Sequence, residues 1–169
     1  TLGGFVGWYG DGPFVNAQLS YTWLDFDVRR DIVLGPAVRT HKGSADGSNL
    51  TAAASAGWTF THGKLSHGPV LGLVSQKIDV DGFAETDPTL STSLAYPDQS
   101  FDSMVGSAGW QASLAMSEHL TPYAKLTWDR EFEDAPAQAW AQSLSMPGTL
   151  PYAVPGVAFD DNYGTVGLG

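Results

Sequence analysis

The sequence predicts an all-β chain, an antiparallel up-and-down transmembrane β-barrel, on three observations: long segments that alternate apolar and polar residues, very short turns that alternate with long polar loops, and a scarcity of charge. Charged residues make up 15% of the chain against 43% hydrophobic ones, where a soluble globular chain carries roughly 25% charged residues. No run approaches the ~18 consecutive apolar residues of a membrane helix, and the mean hydropathy is -0.10. Few charges, 20 glycines, and 6 Trp, 6 Tyr and 8 Phe fit a barrel whose apolar residues are diluted by alternation. Composition alone also admits a soluble β-sandwich.

The alternation identifies individual strands. From Val15, the odd positions read Val15, Ala17, Leu19, Tyr21 and Trp23, and the even ones Asn16, Gln18, Ser20 and Thr22. Leu50, Ala52, Ala54, Ala56, Trp58 and Phe60 alternate with Thr51, Ala53, Ser55, Gly57 and Thr59. Met104, Gly106, Ala108, Trp110, Ala112 and Leu114 alternate with Ser107, Gly109, Gln111 and Ser113, and Ala124, Leu126 and Trp128 with Tyr123, Lys125, Thr127 and Asp129. Successive strand side chains point to opposite faces, so each segment has one apolar and one polar face. Segments such as Phe14 to Asp27 and Met104 to Ser117 exceed ordinary strand length and cover the roughly 9 to 11 residues that a tilted membrane strand needs.

Short turns are predicted at Asp11-Gly12-Pro13, His62-Gly63 and Ser117-Glu118-His119, and long loops at about Val28 to Ser48, Asp81 to Phe101 and Glu133 to Val157. Outer-membrane barrels sort their connections in this way, with the short turns periplasmic and the long loops extracellular. About seven strands are expected.

The composition of the polar face decides which side meets lipid. A soluble sandwich turns Lys and Glu to bulk water, whereas here the polar face is built of Ser, Thr, Gln, Asn and Gly, suited to a wet lumen. Asn16, Gln18, Ser20, Thr22, Thr51, Ser55, Ser107, Gln111, Lys125, Thr127 and Asp129 are therefore expected to face the lumen. Leu19, Tyr21, Trp23, Trp58, Phe60, Trp110, Leu126 and Trp128 are expected to face lipid or the aromatic girdles at its borders. An open strand edge is costly in hydrocarbon, where no amide finds water, so the sheet is expected to close.

Several functions are excluded or disfavoured. There are no cysteines, hence no disulfides, thiolate metal sites or cysteine nucleophiles. A net charge of -10 argues against nucleic acid, because phosphates demand a basic patch. No G-x-S-x-G elbow is present, nor a Gly-Asp-Ser block followed by Asp-x-x-His, so no esterase triad lies within the segment and it is not expected to be an enzyme. His41, His62, His67 and His119 are scattered among turns, loops and strand starts, which reads as polar surface and not as a zinc site. No cofactor or metal is expected. The carboxylates of Asp79, Asp81, Glu85 and Asp87 read as a solvated acidic loop, with a divalent-ion site bridging to lipopolysaccharide as the alternative.

VDGFAE at Val80 to Glu85, QSFDSMVGSAGW at Gln99 to Trp110 and LTPYAKLTWDREF at Leu120 to Phe132 together resemble the autotransporter β-domain. RRDIVLGPAVRTHKGSADG at Arg29 to Gly47 resembles more narrowly the barrels of autotransporters that display a GDSL-type esterase. The resemblance implies an outer-membrane barrel of about twelve strands with a pore helix and a covalent N-terminal passenger, folded by the outer-membrane assembly machinery and contacting lipid and lipopolysaccharide. On that register residues 1–169 form a partial translocator domain, roughly the fourth to the tenth strand, opening at Thr1 as a piece of something longer. The family's closing strand ends in an aromatic residue, which Gly169 is not. The implied role is export and anchoring of the passenger. A soluble ligand-binding barrel or sandwich and a porin-like pore are the alternatives.

Three local expectations follow from the pattern. Lys125, in the lumen, pairs with an acidic lumenal group or a pore helix, or else stands hydrated without a fixed partner. Glu131 contacts Arg29 or Arg39. Gly82 takes a positive φ at the Val80-Asp81-Gly82-Phe83 corner, and Phe83 packs back on the barrel rim.

Overall fold

The computed structural model describes residues 1–117, 119–133, 138–145, 150–155 and 160–169. Its main sheet is an antiparallel meander of β1 (Leu2–Tyr9), β2 (Pro13–Leu34), β3 (Ala37–Trp58), β5 (Leu65–Val80), β8 (Gln99–Leu114), β9 (Tyr123–Glu131) and β12 (Asn162–Leu168), paired in that order. The short β4 (Phe60–His62) pairs with the start of β5. Every neighbour in the main path is the next long strand along the chain, the up-and-down topology that alternating turns and loops imply.

The short turns lie where the sequence puts them. Gly63 has φ 61° between His62 and Leu65, which pair across a two-residue loop. Glycine at the first central position is what such a tight hairpin needs. Between β1 and β2, Gly12 (φ 122°) turns the chain, and its carbonyl accepts from the Thr59 amide at 2.7 Å. That bond diverts Thr59 from the ladder and separates β3 from β4. Glu118, in the third predicted turn, lies outside the described residues; its flanks Ser117 and Leu120 form an antiparallel bridge.

The predicted long loops are the main difference. Residues Val28 to Ser48 are not a loop: β2 and β3 stay paired from Pro13↔Trp58 to Leu34↔Ala37 and turn through Gly35 (φ 62°) and Pro36. Each strand is 22 residues long, roughly 70 Å at ~3.3 Å per residue, more than twice a ~30 Å hydrocarbon layer. Beyond Trp23 the apolar positions of β2 change from odd to even, Leu24, Phe26, Val28, Ile32 and Leu34, interrupted by Arg30, and face Gly43, His41 and Arg39 on β3, so the local period-two signal is broken while the hydrogen bonds continue. The segment Asp81 to Phe101 likewise holds β6 (Phe83–Ala84), β7 (Leu94–Tyr96) and the first residues of β8. With β10 (Gln138–Ser143) and β11 (Tyr152–Pro155) from the third long segment, whose remaining residues lie partly outside those described, they form a second sheet ordered β11-β10-β7-β6.

Glycines allow strands to come close at the lower end of the sheet. A Cβ on Gly68 of β5 would overlap the backbone carbonyl oxygen of Trp58, which cannot swing aside as a side chain could. Gly4 of β1 has open space around it. Gly68→Ala should therefore cost about 1–3 kcal/mol through overpacking, with Gly4→Ala near neutral, as read from urea denaturation of the lipid-refolded protein; equal effects would remove the close-packing explanation.

Candidate functional site

Directly opposite residues of antiparallel strands share a face, so the registers sort side chains across the whole sheet. Asn16 pairs with Ser55, Ser55 with Gly72, Gly72 with Ser107, and Ser107 with Asp129. The next rows run Ser20–Thr51 and Gln111–Lys125. Following alternation along each strand, Asn16, Gln18, Ser20, Thr22, Thr51, Ser55, Ser107, Gln111, Lys125, Thr127 and Asp129 share one face. Leu19, Tyr21, Trp23, Trp58, Phe60, Trp110, Leu126 and Trp128 share the other, where Trp110 pairs with Leu126 and Ala108 with Trp128.

The two faces differ in curvature and exposure. A trough of about 450 Å³ is lined by residues from β1 to β9, among them Phe5, Asn16, Gln18, Ser55, Gly72, Ser107, Lys125 and Thr127. Flat, those six strands would extend about 24 Å at ~4.8 Å spacing; to line one trough the sheet must curl with its polar face inward. The apolar face is open to its surroundings: Leu19 is 56% exposed, Trp58 45% and Leu126 60%. Among the described residues the buried hydrophobic side chains are only Ala45, Val70 and Ala141. A soluble sandwich would have to bury that face between sheets.

The polar face carries its own hydrogen-bonded cluster. Asp129 is 5% exposed, and one of its carboxylate oxygens accepts from Thr127 Oγ1 at 3.0 Å and Thr165 Oγ1 at 2.7 Å. Ser107 bonds the same side chain. Thr165 was not among the residues singled out, because the register joining β12 to β9 cannot be read from local sequence. Lys125 is exposed and close enough to act electrostatically on Asp129, but makes no ion pair among the described residues.

Glu131 does not reach Arg29 or Arg39. Its carboxylate accepts from Ser103 Oγ at 2.6 Å and the Met104 amide at 2.7 Å, and from the amides of Phe132 and Glu133 at 3.1 Å. The two shortest bonds come from Ser103 and Met104 of β8, and the Phe132 amide also donates to the Met104 carbonyl at 2.9 Å, so the residue ties β8 to the end of β9 instead of forming a surface ion pair. Gly82 also differs from expectation. It is not among the positive-φ residues; its amide donates to Asp98 Oδ1 at 2.6 Å, and glycine is needed because a Cβ there would meet the Tyr96 carbonyl and the Asp98 amide. Phe83 does pack back on the sheet, against Gly43 of β3, and stacks on Tyr96 at 4.7 Å.

A buried polar network at the long-loop end was not legible beforehand. The acidic residues around Asp81 do not form one solvated patch: Glu85 is buried, with the Arg30 guanidinium gripping it in a fork that includes a 2.8 Å Nε–Oε1 bond. The Leu94 amide donates to the same carboxylate at 2.9 Å. His41, read from sequence as polar surface, is buried beside them, its Nδ1 4.0 Å from Glu85 and 3.2 Å from Ser93 Oγ, its Nε2 2.8 Å from Thr92 Oγ1. Ser93 is 0% exposed and donates to the Thr86 and Asp87 carbonyls. A serine sealed from solvent and engaged with backbone carbonyls is no nucleophile; the network ties residues 85–94 to the β2–β3 hairpin. Burial pushes the Glu85 carboxyl up, but Arg30 and the Leu94 amide outweigh it and hold it below the ordinary carboxylate range. The Glu85 hydrogen bonds correspondingly raise Arg30. No group of three His, Asp or Glu side chains able to hold a metal occurs among the described residues.

A curled antiparallel meander with a hydroxyl-rich inner face and an exposed aromatic outer one defines a β-barrel protein of the outer-membrane type. The whole chain, residues 1–169, matches the family described as "Autotransporter beta-domain", and the protein belongs to that family. It is 27% identical over 165 residues to Esterase EstA of Pseudomonas aeruginosa and, to the same extent, to Esterase EstA of Pseudomonas putida, covering 96% of this chain and 25% of each relative. Lipase 1 of Photorhabdus luminescens is 27% identical over 128 residues, 75% of this chain and 20% of that protein. The chain thus spans about a quarter or less of the curated relatives it matches. Its place is the outer membrane and its role that of an autotransporter's translocator domain.

The Glu85 network makes a signed prediction. A carboxyl held below its ordinary value stabilises the fold above that value, and the contribution is lost as pH falls through the lowered one. Protection of the Glu85 and Leu94 amides, each exchange rate taken relative to that amide's intrinsic rate at the same pH, should stay high at neutral pH and fall as pH drops below the ordinary carboxylate range. Arg30→Ala should lower that protection already at neutral pH, by about 3 kcal/mol of local opening energy, the low end for a broken buried pair because Arg30 itself is a third exposed.

Proposed function

We propose that this domain is the outer-membrane anchor and export unit of a covalently attached N-terminal passenger, with the long-loop end extracellular and the short turns periplasmic. The mechanism is topological. The polar face lines a wet interior, while the aromatic face holds the domain in lipid and needs no cofactor. The observation that carries this reading is the exposure of the eight large apolar and aromatic side chains on one face of a single curled sheet. Between Val15 and Trp23 the outer-facing residues of β2 span nine positions, the length a tilted strand needs to cross hydrocarbon.

The order of aromatic side chains supports the orientation. Trp8, Trp58 and Phe60 lie near the short turns, and Tyr21 and Trp23, whose rings meet edge to face at 5.0 Å, lie toward the long-loop end. Two such levels fit the two girdles of a bilayer-spanning barrel. The ladder supports a larger closed barrel, because β1 and β12 each have a paired strand on one side only within the described residues. An esterase or lipase is the passenger we assign, because the relatives are two esterases and a lipase. No second reading is favoured by a specific observation.

Leu19 and Gln18 are neighbours on opposite faces at the middle of this span. In the intact protein refolded into lipid, Leu19→Arg should cost about 2–4 kcal/mol, the depth-dependent penalty of a cation facing hydrocarbon, and Gln18→Arg much less. The refolded protein should also migrate differently on a gel before and after boiling. Equal penalties at the two positions, or a monodisperse protein in detergent-free buffer, would reverse the assignment of faces.

A further inference from the structure

The outer face at the short-turn end carries a pair of histidines and a lysine inside an aromatic ladder. His67 pairs with Ala112 and with Phe60, and His62 with Leu65, which puts both histidines on the face of Trp58 and Trp110. Their imidazoles stack at 5.7 Å and 15°, and His67 stacks on Trp110 at 5.9 Å and 25° and lies 5.9 Å from Phe60. Among the described residues no hydrogen bond reaches a ring nitrogen of His62 or His67, whereas His41 uses both of its own. Two imidazoles are therefore held in fixed orientation by ring contacts, with all four polar edges unspent.

Charge along this part of the sequence is one-sided. Although the chain carries -10 overall, no Asp or Glu occurs from Gly47 to Ile78, a stretch that contains His62, Lys64 and His67. Lys64 is the exposed second residue of the hairpin turn between them. The sequences of the two other short turns contain Asp11 and Glu118. Farther up the same face follow Pro69 and Leu71, the latter 60% exposed. The cluster thus presents N–H donors and a cation at the border of an apolar surface.

We infer that His62, His67 and Lys64 form a binding site for the phosphate headgroup of an anionic phospholipid in the periplasmic leaflet, with the indoles of Trp58 and Trp110 flanking the glycerol region. The inference rests on the proposed membrane orientation. Imidazole N–H and ammonium groups bond a phosphodiester most strongly when charge assists, and the apolar strip above them supplies what a free anion would not use.

Native mass spectrometry of the intact protein, released from mixed vesicles of phosphatidylcholine and phosphatidylglycerol, tests it. Wild type should retain phosphatidylglycerol over phosphatidylcholine, and the double variant His62→Ala/His67→Ala should lose about tenfold of that preference. Lys64→Ala should lose part of it, His119→Ala none, and excess inorganic phosphate should displace little. Equal retention of the two lipids by wild type, an unchanged preference in the double variant, or displacement by inorganic phosphate as complete as by lipid would each overturn the site. Heat-dependent gel migration of every variant reports separately on the barrel, so an unfolded variant or a failure of the membrane reading is not mistaken for loss of lipid binding.

Discussion

The continuous antiparallel ladder is the constraint on which the rest depends. In hydrocarbon an unpaired amide has no water to turn to, so each strand must give its hydrogen bonds to neighbours over the full depth of the membrane. Seven strands of the main path do so in simple meander order. Once the backbone is satisfied sideways, side chains are free to divide by face, and function follows from that division. A helix or an irregular loop in the same place would need a different solution for its amides.

Two consequences of the ladder meet in this molecule. Within the apolar band, small residues on the inner face leave room for water, and a carboxylate such as Asp129 is kept there by hydroxyls from three strands. Beyond Gly47, where β3 leaves β5, β2 and β3 continue as a two-stranded ribbon. An isolated hairpin is marginal in water. The Arg30–Glu85–His41 network and the β6–β7 segment brace this one, exchanging solvent around the ribbon for directed bonds. The same ribbon hydrogen bonds serve two solvents, and the side chains tell which solvent applies at each height.

Legibility in the sequence followed the same boundary. Where one face is apolar, as from Val15 to Trp23 or Met104 to Leu114, period two makes strand, register parity and face readable from local order. Above Trp23 the apolar positions switch parity and are interrupted by the half-buried Arg30 and the buried His41, so Val28 to Ser48 looks like a loop although every residue to the Gly35-Pro36 turn is paired. Long-range partners were also hidden. Nothing near Glu85 in sequence announces Arg30, 55 positions away, and nothing near Asp129 announces Thr165. Glu131 misled because charge suggested a cation, while its partners are Ser103 and Met104 on the neighbouring strand β8, some 28 positions back in sequence. His62 and His67 looked scattered since their proximity depends on the hairpin's diagonal pairing and not on linear spacing.

The division of faces can be measured with little background, because the chain contains no cysteine. Single cysteines introduced one at a time from Val15 to Trp23 and spin-labelled in lipid should show accessibility with period two: odd positions reached by membrane-dissolved oxygen, even positions by a water-soluble nickel chelate. A profile without that period, or one with the parity reversed, would contradict the account.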